Sequence, residues 1–235
     1  KTADQVWENI TLNHGIVRKR HDLGKLLLNL GTSFVHTAWD GAAGEMWEDE
    51  QPAMDGVAGE QMAQMQKRIY YKGDLAIEVV PVWKIYWDPS ARQQVYESGW
   101  MGREEAMTVN KVRMKWPKTA QTIKGGQGFG NENAFDTQLL LYGNNNLMSG
   151  RQPERQDNLV LVREFWQQPW DMTQKERLEW PKGRLVTCCG TTLLNIGSWP
   201  YKHREFPYTQ FDCITVPDRV CGLGIADSQM QLNRA

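Results

Sequence analysis

The stretch WPYKHREFPYTQFDCITVPDRVCGLGIADSQMQLN, from Trp199 to Asn233, decides how the chain is read. It is a proline-bracketed extended run, followed by a Gly222-x-Gly224 pivot and then the start of a helix. Over residues 227–233 that helix sets Gln229 and Asn233 one turn apart, on one face. Nothing in the segment calls for a catalytic group, so it points to building and orienting structure.

Working outward, residues 206–216 read as a strand, residues 183–194 as a hairpin around Gly190, and residues 159–166 as another strand. At the other end, apolar positions between Asp4 and Leu30 recur near helical spacing. Asn13 to Gly15 break this pattern into two helices, and Gly31 stands where a C-terminal cap belongs. Phe34, Val35 and Trp39 make a strand closed by Asp40-Gly41. Residues 42–59, without clear period, read as loop. Residues 69–71 and 75–87 predict two strands, with Pro81 at a break or edge. GREEAMTVNKVRMKW, within residues 99–116, has an acidic start and a basic end, which predicts a short helix stopped by Pro117. Residues 118–157, rich in Gly and Asn, read as a flexible insertion. The expected class is α+β: N-terminal helices, mainly antiparallel strands and the start of a C-terminal helix, in a single domain over residues 1–235.

Charge and composition narrow the function. Lys and Arg number 27 against 28 Asp and Glu, a net charge of -1, so the chain carries no global positive field for coating nucleic acid. Eleven tryptophans supply large aromatic bodies, expected mostly in the core and at subunit contacts. Cys188 and Cys189 would point to opposite faces of a strand and cannot jointly hold one ion; the four cysteines read as reduced structural thiols. No apolar run reaches membrane-spanning length. The start at Lys1 and the stop soon after Asn233 suggest a piece of a longer protein.

Enzyme patterns are missing. HExxH, GxSxG and P-loop motifs do not occur, and GGQGFG over residues 125–130 lacks the following Lys-Ser or Lys-Thr. Glu48, Asp49 and Glu50 are adjacent in the chain and converge poorly on one cation. His14, His21, His36 and His203 are scattered without a nucleophile elbow. The reading is therefore a non-enzyme with no catalytic, cofactor or metal residues.

Four passages, in order, carry a resemblance: LNLGTSFVHTAWDG; GDLAIEVVPVWKIYWDPSA, ending on Asp88-Pro89; NLVLVREFWQQP followed by WPKGRLVTCCGTTLL; and the Trp199–Asn233 stretch. Together they resemble the wing region of portal proteins, the head-to-tail connectors of tailed bacteriophages. The tunnel helices, clip and crown of a whole portal have no counterpart here. The resemblance implies a structural subunit of a homo-oligomeric ring, most often a dodecamer, at one capsid vertex of the virion. Such a ring forms the conduit for genome packaging and ejection and the junction of head and tail, and it is assembled in the host cytoplasm. It implies as partners the major capsid protein, scaffolding protein, large terminase subunit and a tail adaptor. Double-stranded DNA would pass through without sequence-specific binding, with no cofactor and no membrane. The assembly residues it suggests are Asp88 and Pro89 as a rigid strand exit, Glu164 and Arg184 as a cross-strand pair, Gly222 and Gly224 as a pivot, and Gln229 and Asn233 as a polar helix face. The second reading is a Trp-rich β module of a tail or adhesion component, binding carbohydrate or protein through an aromatic platform.

Overall fold

Two glycines delimit the N-terminal helices. Helix α1 (Ala3–Asn13) and helix α2 (Ile16–Leu30) are separated at Gly15, which takes the left-handed conformation at φ 58°. Gly31, at φ 80°, ends α2 with its N–H on the Leu27 carbonyl. The computed structural model describes residues 2–41, 43–52, 65–92, 94–128 and 158–226. Gln229, Asn233 and the expected terminal helix lie outside the described residues, as does most of the stretch read as an insertion.

Beyond Gly31 the described residues form ten strands: β1 (Thr32–Asp40), β2 (Met46–Pro52), β3 (Met65–Tyr71), β4 (Asp74–Pro81), β5 (Ile85–Trp87), β6 (Trp100–Thr108), β7 (Leu159–Gln167), β8 (Arg184–Cys189), β9 (Thr192–Ser198) and β10 (Tyr208–Asp212). Helix α3 (Val109–Lys115) succeeds β6 and the short helix α4 (Gln174–Glu179) precedes β8. The strands pair antiparallel in three sheets, ordered β10-β1-β4, β2-β3 and β5-β6-β7-β8-β9. The protein is thus α+β, with N-terminal helices ahead of mainly antiparallel sheets.

The three-stranded sheet packs on one face of the five-stranded sheet. Phe34, Val80 and Tyr208 from the first meet Met101 and Trp166 from the second, joined by Trp199 and Phe206 from the loops. Trp199 stands edge-on to Trp166 with ring centres 5.6 Å apart, and its indole N–H donates to the Arg184 carbonyl. Further along the same face, Met107, Val160 and Val162 pack beneath Val112 of α3 and close a second core.

Two expectations are corrected. Residues 100–108 are a strand and only residues 109–115 are helical. Both faces of the strand are covered at its middle, where residues 101–104 are all buried, and a central place between β5 and β7 overrides the helical charge pattern. Likewise, residues 46–52, expected as loop, form β2, paired in register from Met46↔Tyr71 to Pro52↔Met65. Among the described residues this ribbon pairs with no other strand, so nothing imposes an alternation toward a core on its sequence. Of the expected insertion, residues 118–128 are packed: Ala120 and Ile123 are fully buried, and the Gln127 carbonyl accepts from the Leu161 N–H at 3.0 Å.

Candidate assembly surfaces and site residues

The Asp88-Pro89 exit is local chemistry. Leaving β5, the Asp88 N–H donates to the Trp100 carbonyl at 3.2 Å, its carboxylate accepts the Ser90 N–H at 2.9 Å, and its carbonyl accepts the Ala91 N–H at 3.1 Å. Pro89 fixes φ within that turn. The Ser90 donors hold the Asp88 carboxyl below its usual range.

Gly222 and Gly224 act by close approach. A Cβ at Gly222 would lie 2.7 Å from the Ile214 carbonyl oxygen, and one at Gly224 would lie 2.9 Å from the carbonyl oxygens of Leu28 and Asn29. Neither takes a positive φ, so the expected pivot is instead a clasp on the end of α2. Hydrogen bonds fasten it. Cys213 N–H donates to the Gly31 carbonyl at 2.8 Å, Gly222 N–H donates to Thr32 Oγ1 at 2.7 Å, and Thr32 Oγ1 donates to Asp212 at 2.6 Å.

Glu164 and Arg184 do not pair. The register sets Glu164 opposite Thr187 and Arg184 opposite Gln167, three residues along the strands. Arg184 donates to Gln167 Oε1 at 2.6 Å and to Glu176 Oε1 at 3.1 Å, tying α4 to the sheet. Glu164 belongs to a different group. It is the in-register partner of Arg103, whose guanidinium is 4% exposed and bridges the two sheets. That guanidinium donates to Glu78 at 2.5 Å, lies 2.8 Å from His36 Nδ1 and reaches Glu105 at 3.2 Å. Burial, reinforced by Arg103, drives the His36 pKa down to about 3, so its ring is neutral and Nδ1 accepts. Burial also pushes the Glu164 carboxyl up. The sequence hid this cluster because its members come from strands far apart in the chain and Arg103 lies in a segment with a helical charge pattern.

Several surfaces have apolar area facing solvent. Neither α1 nor α2 has a fully buried residue, and Val6, Trp7, Leu12, Val17 and Leu28 are exposed on them. Trp7, Trp39, Trp47 and Trp170 are 63%, 61%, 51% and 56% exposed, while Trp166 and Trp199 are buried. The tryptophans therefore divide between core and surface. Cys189 is buried and Cys188 faces the other side of β8, as strand alternation requires. On that outer face, Tyr86, Trp100, Phe165, Val186 and Cys188 line a groove of about 470 Å³. Trp100 stacks on Phe165 at 5.1 Å. At the floor the Glu104 carboxylate is taken up by Arg163 and by the Tyr86 hydroxyl, the latter at 2.9 Å.

Among the described residues no helix is long and apolar enough to cross a membrane, and no group of His, Cys, Asp or Glu could hold a metal ion. No family model matches the chain, and no curated protein resembles it in sequence.

Proposed function

We propose that the protein is the wing region of a tailed-phage portal subunit, a structural element of the ring through which the genome is packaged and ejected. One observation carries the reading. Among the described residues, the α1–α2 pair has no buried residue and the β2–β3 ribbon pairs only with itself, yet both elements carry exposed tryptophan. Short helices and lone two-stranded ribbons are at best marginal in water, so elements of this kind are expected to be completed by neighbours in an assembly. The near-neutral charge suits a conduit that must not grip phosphate. In this reading the Asp88-Pro89 exit and the clasp at Gly222 and Gly224 hold strand and helix directions fixed as the wing tilts.

The outer-face groove favours the second reading, a Trp-rich module for carbohydrate or protein. A sugar needs polar partners beside its aromatic platform, and Glu104 is buried and already bonded. The portal reading is therefore preferred.

The test is the solution mass of the full-length parent protein, with negative-stain images of the same sample. Rings with a central channel support the proposal. A monomer that stays a monomer with scaffolding protein present, and binds an immobilised glycan array, replaces it with the second reading.

A further inference from the structure

The geometry points to Arg103 as a two-position latch that either locks the three-stranded sheet to the five-stranded sheet or lets it go. In the observed position, the guanidinium leaves its own sheet and joins Glu78 of β4 and His36 of β1. Directly opposite it on β7 stands Glu164, while the observed partners of the guanidinium are His36, Glu78 and Glu105. Cross-strand partners on one face lie within side-chain reach. Arg103 Nε, meanwhile, is a buried donor without an acceptor. Turning the guanidinium onto Glu164 gives Nε a carboxylate, pairs Glu164 and removes the tie to Glu78. The two carboxylates compete for one cation across the seam between the sheets.

The competition depends on the charge of Glu164. Facing it are Arg103 and Glu105 from β6, Glu78 from β4, Lys115 from α3, Tyr208 from β10 and Tyr201 from the loop before it. While the carboxyl is protonated it cannot draw Arg103 away. Ionisation adds a third carboxylate beside Glu78 and Glu105 and makes Glu164 the rival partner. His36 stays neutral through this range and contributes no charge. The latch is thus closed with Glu164 protonated and loosened as it ionises.

Amide hydrogen exchange of the full chain tests this, run at the acidic and the alkaline end of the range in which the protein stays folded and corrected for intrinsic exchange. Protection of the β1 and β4 amides is expected to fall by about fivefold or more toward alkaline pH, the scale of a modest coupling between sites. Glu164→Gln abolishes that fall. Glu78→Gln, at a half-exposed position that leaves the fold intact, gives low protection at both pH values. The latch is overturned if Glu164→Gln retains the wild-type pH dependence, or if Glu78→Gln leaves protection of β1 and β4 unchanged.

Discussion

Gly31 and Gly222 press backbone against backbone: a Cβ placed on Gly31 would overlap the Gly222 carbonyl oxygen. The clasp thus joins the end of α2 to the segment after β10, two regions almost the whole chain apart. It also fixes where the exposed helical pair is anchored, through the Thr32 and Cys213 hydrogen bonds.

Gly224→Val should therefore act on stability before it acts on assembly. The added side chain meets two helix carbonyl oxygens at 2.9 Å and forces them to move. Overpacking of this kind costs about 1–3 kcal/mol. The expected result is a lowered thermal midpoint for the isolated domain, with α2 losing amide protection first. An unchanged midpoint combined with failed ring assembly would restore a pivot role.

Thr32→Val tests the same clasp by chemistry instead of size. Thr32 is fully buried, accepts from Gly222 N–H and donates to Asp212. Valine fills the space and leaves the amide unpaired, a loss of about 1–3 kcal/mol. Thr32→Ser keeps the hydroxyl and should recover most of it. Equal losses from both variants, read from urea midpoints, would show that packing and not the hydroxyl matters.

How far the sequence revealed the fold depends on where each residue's partners lie. The two helices and their stops at Gly15 and Gly31 were legible because caps and periodicity are local. So was the Asp88 turn, whose hydrogen-bond partners lie within three residues or on the adjoining strand. Strand β6 was not, because its acidic start and the basic residues after it read as a helix aligned with its dipole until His36 and Glu78 are brought to Arg103 from another sheet. Pairing Glu164 with Arg184 failed for a related reason. Register, set by the whole hairpin, puts them three positions apart. Gly222 and Gly224 were visible as unusual, but their partners at Leu28 and Asn29 were not.

Glu164→Gln should make the protein more stable at neutral pH. The native carboxyl titrates above its unfolded value, because burial disfavours the charged form. The native state therefore holds the proton that the unfolded chain has already released, and stability falls as pH rises through the native pKa. Glutamine removes that titration. Thermal midpoints across the acid to neutral range should converge at low pH and separate toward neutrality, with the variant higher. Parallel curves would mean that Glu164 titrates like an exposed glutamate.

His36 gives the opposite slope. Its pKa falls from 6.5 to about 3 on folding, so the unfolded chain takes up a proton between those values that the folded one refuses. The stability it contributes is complete above the unfolded pKa and is lost as pH drops toward the native one. His36→Gln keeps an acceptor for Arg103 and cannot titrate. It should flatten the acid limb of the stability curve, measured by urea midpoints, while costing some stability at neutral pH through the lost stacking on Tyr208 at 4.9 Å. An acid limb as steep as the wild type's would show that other groups drive acid unfolding.

Exposed tryptophans provide a reading of assembly that does not depend on imaging. In the separate chain, Trp7, Trp39, Trp47 and Trp170 are open to a collisional quencher, whereas Trp166 and Trp199 are closed. If neighbouring copies cover the α1–α2 pair and the β2–β3 ribbon, the quenchable fraction should fall on ring formation. Trp7→Phe and Trp47→Phe should each remove part of that change, because each reports one of the two surfaces. Trp170→Phe, near α4, serves as the contrasting position. A quenchable fraction that stays constant between monomer and ring would place the contacts elsewhere on the subunit, and protection centred on Trp170 would shift them to the α4 side.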